Sequence, residues 1–173
     1  MEGDYIPKNV LRRYHPAYAC YPHLGMDGHF DREQHGGESV IQRHILREHG
    51  VVLAGPPPKT LIDPVQPDEL RQAVREVLHE WWAPMLNDPS RLHNREYQAY
   101  AVLTMCRALY TLQHGIIVSK TVAAQWAQEV LGVRWAGLIR QGLMWQHETQ
   151  TNNLNETLDF IRFTISQQEG PND

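Results

Sequence analysis

Residues 100–127 read YAVLTMCRALYTLQHGIIVSKTVAAQWA. Taken back to Glu96, the first part keeps apolar residues at helical spacing as far as Gln113, and His114 with Gly115 supplies a helix stop. Ser119 is a good N-cap for a second helix, running to Leu131 with Val122, Trp126 and Val130 on its buried face and Gly132 as its end. Two helices joined by so short a link must lie beside each other, so this stretch alone points to helix-on-helix packing.

The same pattern extends in both directions. Downstream, Arg134–Trp145 carries Trp135, Leu138, Ile139 and Leu143 on one face, and after the polar QHETQTNN a further helix presents Leu154, Leu158, Ile161 and Ile165. Upstream, Leu70, Val74, Val77, Leu78, Trp81 and Trp82 form a stripe reaching to Pro84, with Asp68 and Glu69 placed to favour the helix N-terminus. Glu38–His49 is a shorter helix with Val40, Ile41, Ile45 and Leu46 on one side, ended by Gly50. Val51–Ala54 has the composition of a short strand before the proline run at 56–58.

From Met1 to Gly37 no helical period is sustained, and Pro7, Pro16, Pro22 and the run LGMDGHF interrupt the chain. The expectation is therefore a mainly α protein: a bundle of about five to six helices preceded by an irregular arm with a short strand at EGDYI. The divisions expected are an arm at 1–37, a helical domain at 38–168 and a fraying tail at 169–173. The strand-like start reads as the end of a preceding domain, which makes the arm its remnant.

Composition narrows the function. Of 173 residues, 42% are hydrophobic and 21% charged, which suits a folded domain. Sixteen Lys and Arg against 20 Asp and Glu give a net charge of −4, and the basic footprint of a nucleic-acid binder is missing. The two cysteines, Cys20 and Cys106, offer no disulfide framework or paired zinc motif. No window has the apolar length of a membrane span and the first residues lack a signal-peptide layout, so a cytoplasmic protein is expected.

Three groupings could carry chemistry. Arg107 lies mid-helix, and Lys120 follows the Ser119 cap, where free N–H groups and the helix dipole favour an anion. The turn at 114–118 folds one helix back on the next, so the two cations could meet on a phosphate. The plainer alternative pairs Arg107 with a carboxylate such as Glu96 or Glu129 and leaves Lys120 solvated. Glu2 and Asp4 would share one face of a strand and could contribute to a magnesium site, although a solvated terminus explains them equally well. The ten histidines show no zinc spacing and read as ordinary surface and loop residues. Trp81, Trp82, Trp126 and Trp135 read as core.

GPPPKTLIDPV, followed by a helix and then by the quoted 100–127 stretch, resembles the C-terminal domain of the aminoglycoside 3″/9 adenylyltransferases, the streptomycin and spectinomycin resistance enzymes. The likeness runs in weaker form from Glu2 to about Phe163. It implies transfer of AMP from ATP to an antibiotic hydroxyl with Mg²⁺. In that family an N-terminal nucleotidyltransferase domain holds the metals through an Asp-x-Asp pair after a Gly-Ser turn, with a strand glutamate as third carboxylate and base. By order and spacing that glutamate corresponds to Glu2, and the triphosphate-binding arginine and lysine to Arg107 and Lys120.

Neither a Gly-Ser turn nor an Asp-x-Asp occurs in these residues. The resemblance thus implies a part of an enzyme that binds ATP and an aminoglycoside-type antibiotic but is inactive alone. Asp88 and Glu96 are the residues available for drug contact, and the family's recognition tryptophan has no counterpart. The alternative is a non-catalytic helical module that partners a separate nucleotidyltransferase subunit.

Overall fold

The computed structural model describes residues 3–145 and 152–167, and the chain forms two compact units, Met1–Glu76 and Val77–Asp173. In the first, strands β1 (Gly3–Asp4), β2 (Cys20–Leu24) and β3 (Phe30–Gln34) form an antiparallel sheet in that order. Cys20 pairs with Gln34 and Leu24 with Phe30 across the β2–β3 hairpin. The arm is therefore more regular than its sequence suggests. LGMDGHF is the hairpin loop: Gly28 takes a left-handed φ of 81°, the Gly25 N–H donates to the His29 carbonyl, and Asp27 accepts from the His29 N–H. Pro22 stands in the middle strand, where proline is ordinarily a sign against a strand, and every residue of β3 is exposed, so no apolar alternation marks it.

Helix α1 (Lys8–Leu11) is tied down by Arg43 from α2 (Glu38–His49). The Arg43 guanidinium, 3% exposed, donates to the carbonyls of Leu11 at 3.2 Å, Val10 at 3.3 Å and Ser39 at 3.1 Å. A buried cation is tolerable here because it satisfies the Val10 and Leu11 carbonyls, which the end of α1 leaves open. Helix α2 matches its expected span and stops at Gly50, but it buries Ser39 and Arg43, while Leu46 is exposed. Val51–Ala54 forms no strand: Val51 and Leu53 stand in solvent, and the chain turns at Gly55, φ 95°, before α3 (Pro58–Leu61). Helix α4 spans Pro67–Val77.

The second unit opens where the expected long helix changes pitch. Pro84 has no N–H to continue an α ladder; the turn at Leu78–Trp82 widens, with the Ala83 N–H reaching the Leu78 carbonyl, and Ala83–Leu86 then tightens. Helix α5 (Arg95–His114) is capped by the Asn94 side chain and ends at Gly115 in the left-handed conformation, φ 67°. It packs against α6 (Lys120–Val130), α7 (Val133–Leu143) and α8 (Leu154–Ser166). Its neighbours meet it through small or apolar residues: Ala123, Ala124 and Ala127 are fully buried on α6, Ile139 on α7, Phe160 and Ile161 on α8.

Two sequence expectations change in this unit. Val122 and Val130 are 45% and 54% exposed, and the buried face of α6 is the alanine face instead. Alanines let two helix backbones approach closely, an option that an apolar-moment reading undervalues. Trp82 and Trp135 are core residues at 2% and 5% exposure, and Trp126 is half-buried, but Trp81, within the widened turn, is 47% exposed. Among the described residues no helix is long and apolar enough to cross a membrane.

Candidate functional site

The second unit brings Arg107 and Lys120 near enough for the Arg107 charge to act on Lys120. Arg107 lies two turns beyond Tyr100 on α5, on the same face, and Lys120 is the first residue of α6. The Ser119 hydroxyl accepts from the Val122 N–H at 3.2 Å, as expected of the cap, and fixes the first turn from which Lys120 projects. The Lys120 ammonium lies 3.7 Å from the centroid of the Tyr100 ring.

Neither cation has a carboxylate partner among the described residues. Among the described residues no ion pair reaches Arg107 or Lys120, so the pairing with Glu96 or Glu129 that the sequence left open does not form, and Lys120 is half-buried rather than solvated. Burial lowers the Arg107 guanidinium from its ordinary value. Burial, and then the nearby Arg107 charge, push the Lys120 ammonium down to about 8. Two like charges held half out of water, with no counter-charge among the described residues, are an arrangement that an anion such as phosphate could stabilise by relieving both the desolvation and the repulsion.

Tyr100 belongs to this site, and its role was not read from the sequence. It is 45% exposed, and it is braced by Tyr97, with ring centroids 5.5 Å apart, and by buried Trp82 at 6.1 Å. Its spacing of seven residues before Arg107 was the available signal. The suggested drug-contacting acids are placed differently. Asp88 accepts from the Ser90 N–H at 3.2 Å and shapes the turn before α5, and Glu96 is exposed in the first turn of α5. Neither acts on Arg107 or Lys120.

In the first unit, Glu2 lies outside the described residues. Asp4 is not a free carboxylate: its Oδ1 is 2.7 Å from His23 Nδ1 and 3.7 Å from His35 Nε2. His35, against the expectation of a surface histidine, is 7% exposed and stacks flat on Tyr21 at 4.1 Å. Among the described residues, which do not include Glu2, no group of three or more His, Cys, Asp or Glu side chains is arranged to hold a metal. Of the cysteines, Cys106 is buried, which raises its thiol to about 12.

Comparison with known proteins identifies the family of the chain. The profile of the family described as "Aminoglycoside adenylyltransferase, C-terminal domain" matches residues 60–167. A curated "Aminoglycoside (3'') (9) adenylyltransferase" of Escherichia coli is 33% identical over 131 residues, covering 72% of this chain and 47% of the relative. One from Klebsiella pneumoniae is 32% identical over 120 residues, 68% of this chain and 43% of the relative. One from Rhizobium radiobacter is 30% identical over 131 residues, 72% of this chain and 46% of the relative. This chain belongs to the aminoglycoside adenylyltransferase C-terminal domain family. It spans less than half the length of the curated relatives it matches.

Proposed function

We propose that this chain is the C-terminal, nucleotide-gripping part of an aminoglycoside nucleotidyltransferase. In this reading Arg107 and Lys120 hold the triphosphate of ATP while AMP passes to a hydroxyl of a streptomycin- or spectinomycin-type antibiotic. The observation that carries it is the pair of half-buried cations from α5 and α6 with no carboxylate between them among the described residues. Structural cations are ordinarily neutralised when they leave water; two that are not are poised for an anionic ligand.

In the chemistry the family implies, the antibiotic hydroxyl attacks the α-phosphate, a carboxylate accepts its proton, and pyrophosphate leaves. The contribution of this chain is to bind and orient the phosphates and to offset their charge as the bond to the leaving group breaks. Glu2 is the residue proposed as base and metal ligand, and Glu96 with Asp88 as drug contacts. With no Asp-x-Asp among its residues, the chain is proposed to be inactive alone. The division proposed is arm 1–37, helical domain 38–168 and tail 169–173, in a cytoplasmic protein.

Calorimetry with ATP, with and without Mg²⁺, tests the reading. The wild-type chain should bind, and Lys120→Ala should weaken binding roughly tenfold, the loss of one charge-assisted contact. Equal affinity in the two proteins would dismiss the phosphate role.

A further inference from the structure

We infer that Tyr100 is a positioning residue whose ring face holds the Lys120 ammonium beside Arg107 in place of a carboxylate, so that both cations stay available to phosphate. The inference rests on the phosphate reading of that pair. It starts from a physical difficulty. Two like charges on neighbouring helices repel, and half-burial strengthens the repulsion. A shared Asp or Glu would remove it but would also occupy the cations and compete with the ligand.

An aromatic ring solves the difficulty differently. Its face carries a partial negative charge that attracts an ammonium without neutralising it, over distances up to about 6 Å from the centroid. Lys120 Nζ is 3.7 Å from the Tyr100 centroid, well inside that range. The ring is itself held: Tyr100 leans on Tyr97, with an interplanar angle of 29°, and on Trp82 at 27°. Trp82 is 2% exposed and so anchored in the core, while the Trp81 indole N–H donates to the Tyr97 hydroxyl at 3.2 Å. A row of rings thus connects the core of the unit to the ammonium.

Two further facts distinguish this role from packing. Tyr100 leaves 45% of its surface in water, poor use of a large ring if burial were its purpose. Its backbone is set by α5 and that of Lys120 by the Ser119 cap, so the contact joins two fixed elements rather than two loose side chains. The charged group acting on Lys120 is Arg107.

The test uses the full chain with Tyr100→Phe, which keeps the ring face, and with Tyr100→Leu and Tyr100→Gln, which remove it. The first readout needs no ligand: NMR titration of the Lys120 side chain. Tyr100→Phe should titrate like wild type, and the ringless variants roughly half a pH unit or more lower. The second is calorimetry with inorganic tripolyphosphate. Tyr100→Phe should bind like wild type and the ringless variants several-fold more weakly, and in a Lys120→Ala background the Tyr100 changes should have no further effect. A Lys120 midpoint that is unchanged or higher without the ring overturns the inference. So does a Tyr100→Phe loss as large as that of Tyr100→Leu, or a Tyr100 effect that persists without Lys120. If wild type binds no tripolyphosphate the phosphate reading fails, and the ligand-free titration still decides whether Tyr100 holds Lys120.

Discussion

Gln98, buried near the start of α5, accepts at Oε1 from the backbone N–H of Asn153 at 3.0 Å, at the entry to α8. From Nε2 it donates to the Leu92 carbonyl at 2.7 Å and to Asn152 Oδ1 at 2.9 Å. One amide therefore fastens the turn before α5 to the helix that closes the bundle. Gln98→Leu keeps the volume and leaves these backbone groups without partners, a loss of about 1–3 kcal/mol for each buried group left unsatisfied. Chemical denaturation should show a lowered midpoint, and a midpoint equal to wild type would mean that water replaces Gln98.

The buried face of α6 gives a prediction in which two apolar positions behave oppositely. Ala124 is fully buried and Val122 is 45% exposed. Ala124→Leu should therefore lose about 1–3 kcal/mol through overpacking, while Val122→Ala should stay within about 0.5 kcal/mol of wild type. Thermal melts of both variants decide it. The reverse order would restore Val122 to the core.

That comparison also shows what was legible in the sequence. The span of α2, the Ser119 cap and the Gly115 stop follow from local chemistry: a hydroxyl that satisfies an early N–H, a glycine that accepts positive φ. The alanine face of α6 and the exposure of Trp81 do not, because both depend on which surface a neighbouring helix can approach. The hairpin escaped for another reason: β3 is exposed along its whole length, and Pro22 disguises its partner. At the candidate site, Arg107 and Lys120 were named from spacing and resemblance, whereas Tyr100 acquires its meaning only once α6 is folded against α5.

Ser119→Ala tests whether the cap matters beyond the helix. Loss of the hydroxyl that accepts from Val122 should cost about 1 kcal/mol. Because Lys120 is the next residue, fraying of this turn should also weaken ATP binding, and Ser119→Asp, which can still cap, should keep the stability. An alanine variant with unaltered stability and affinity would show that the turn is held by packing alone.

Lys120 should make stability and ligand affinity respond to pH in opposite directions. Its folded value of about 8 lies below the ordinary 10.5, so between those two values the unfolded chain holds more of this proton than the folded one. Stability contributed by this site must then rise with pH across that window. Below about 8 the lysine is charged in both states and its desolvation penalty is fully present; above 10.5 it is neutral in both and the penalty is gone. Lys120→Met removes the charge at every pH. The variant should be more stable than wild type near about pH 7, and the difference should shrink as pH rises toward the ordinary lysine range. Urea unfolding of the two proteins across this range measures it, with the other titrating groups cancelling in the comparison. ATP binding should run the other way: wild-type affinity should fall as pH rises through about 8, when the ammonium that meets the phosphate is lost. Lys120→Met should start weaker and lack that step. A stability difference that grows with pH, or a variant that keeps the alkaline step in ATP affinity, would place the titrating cation elsewhere.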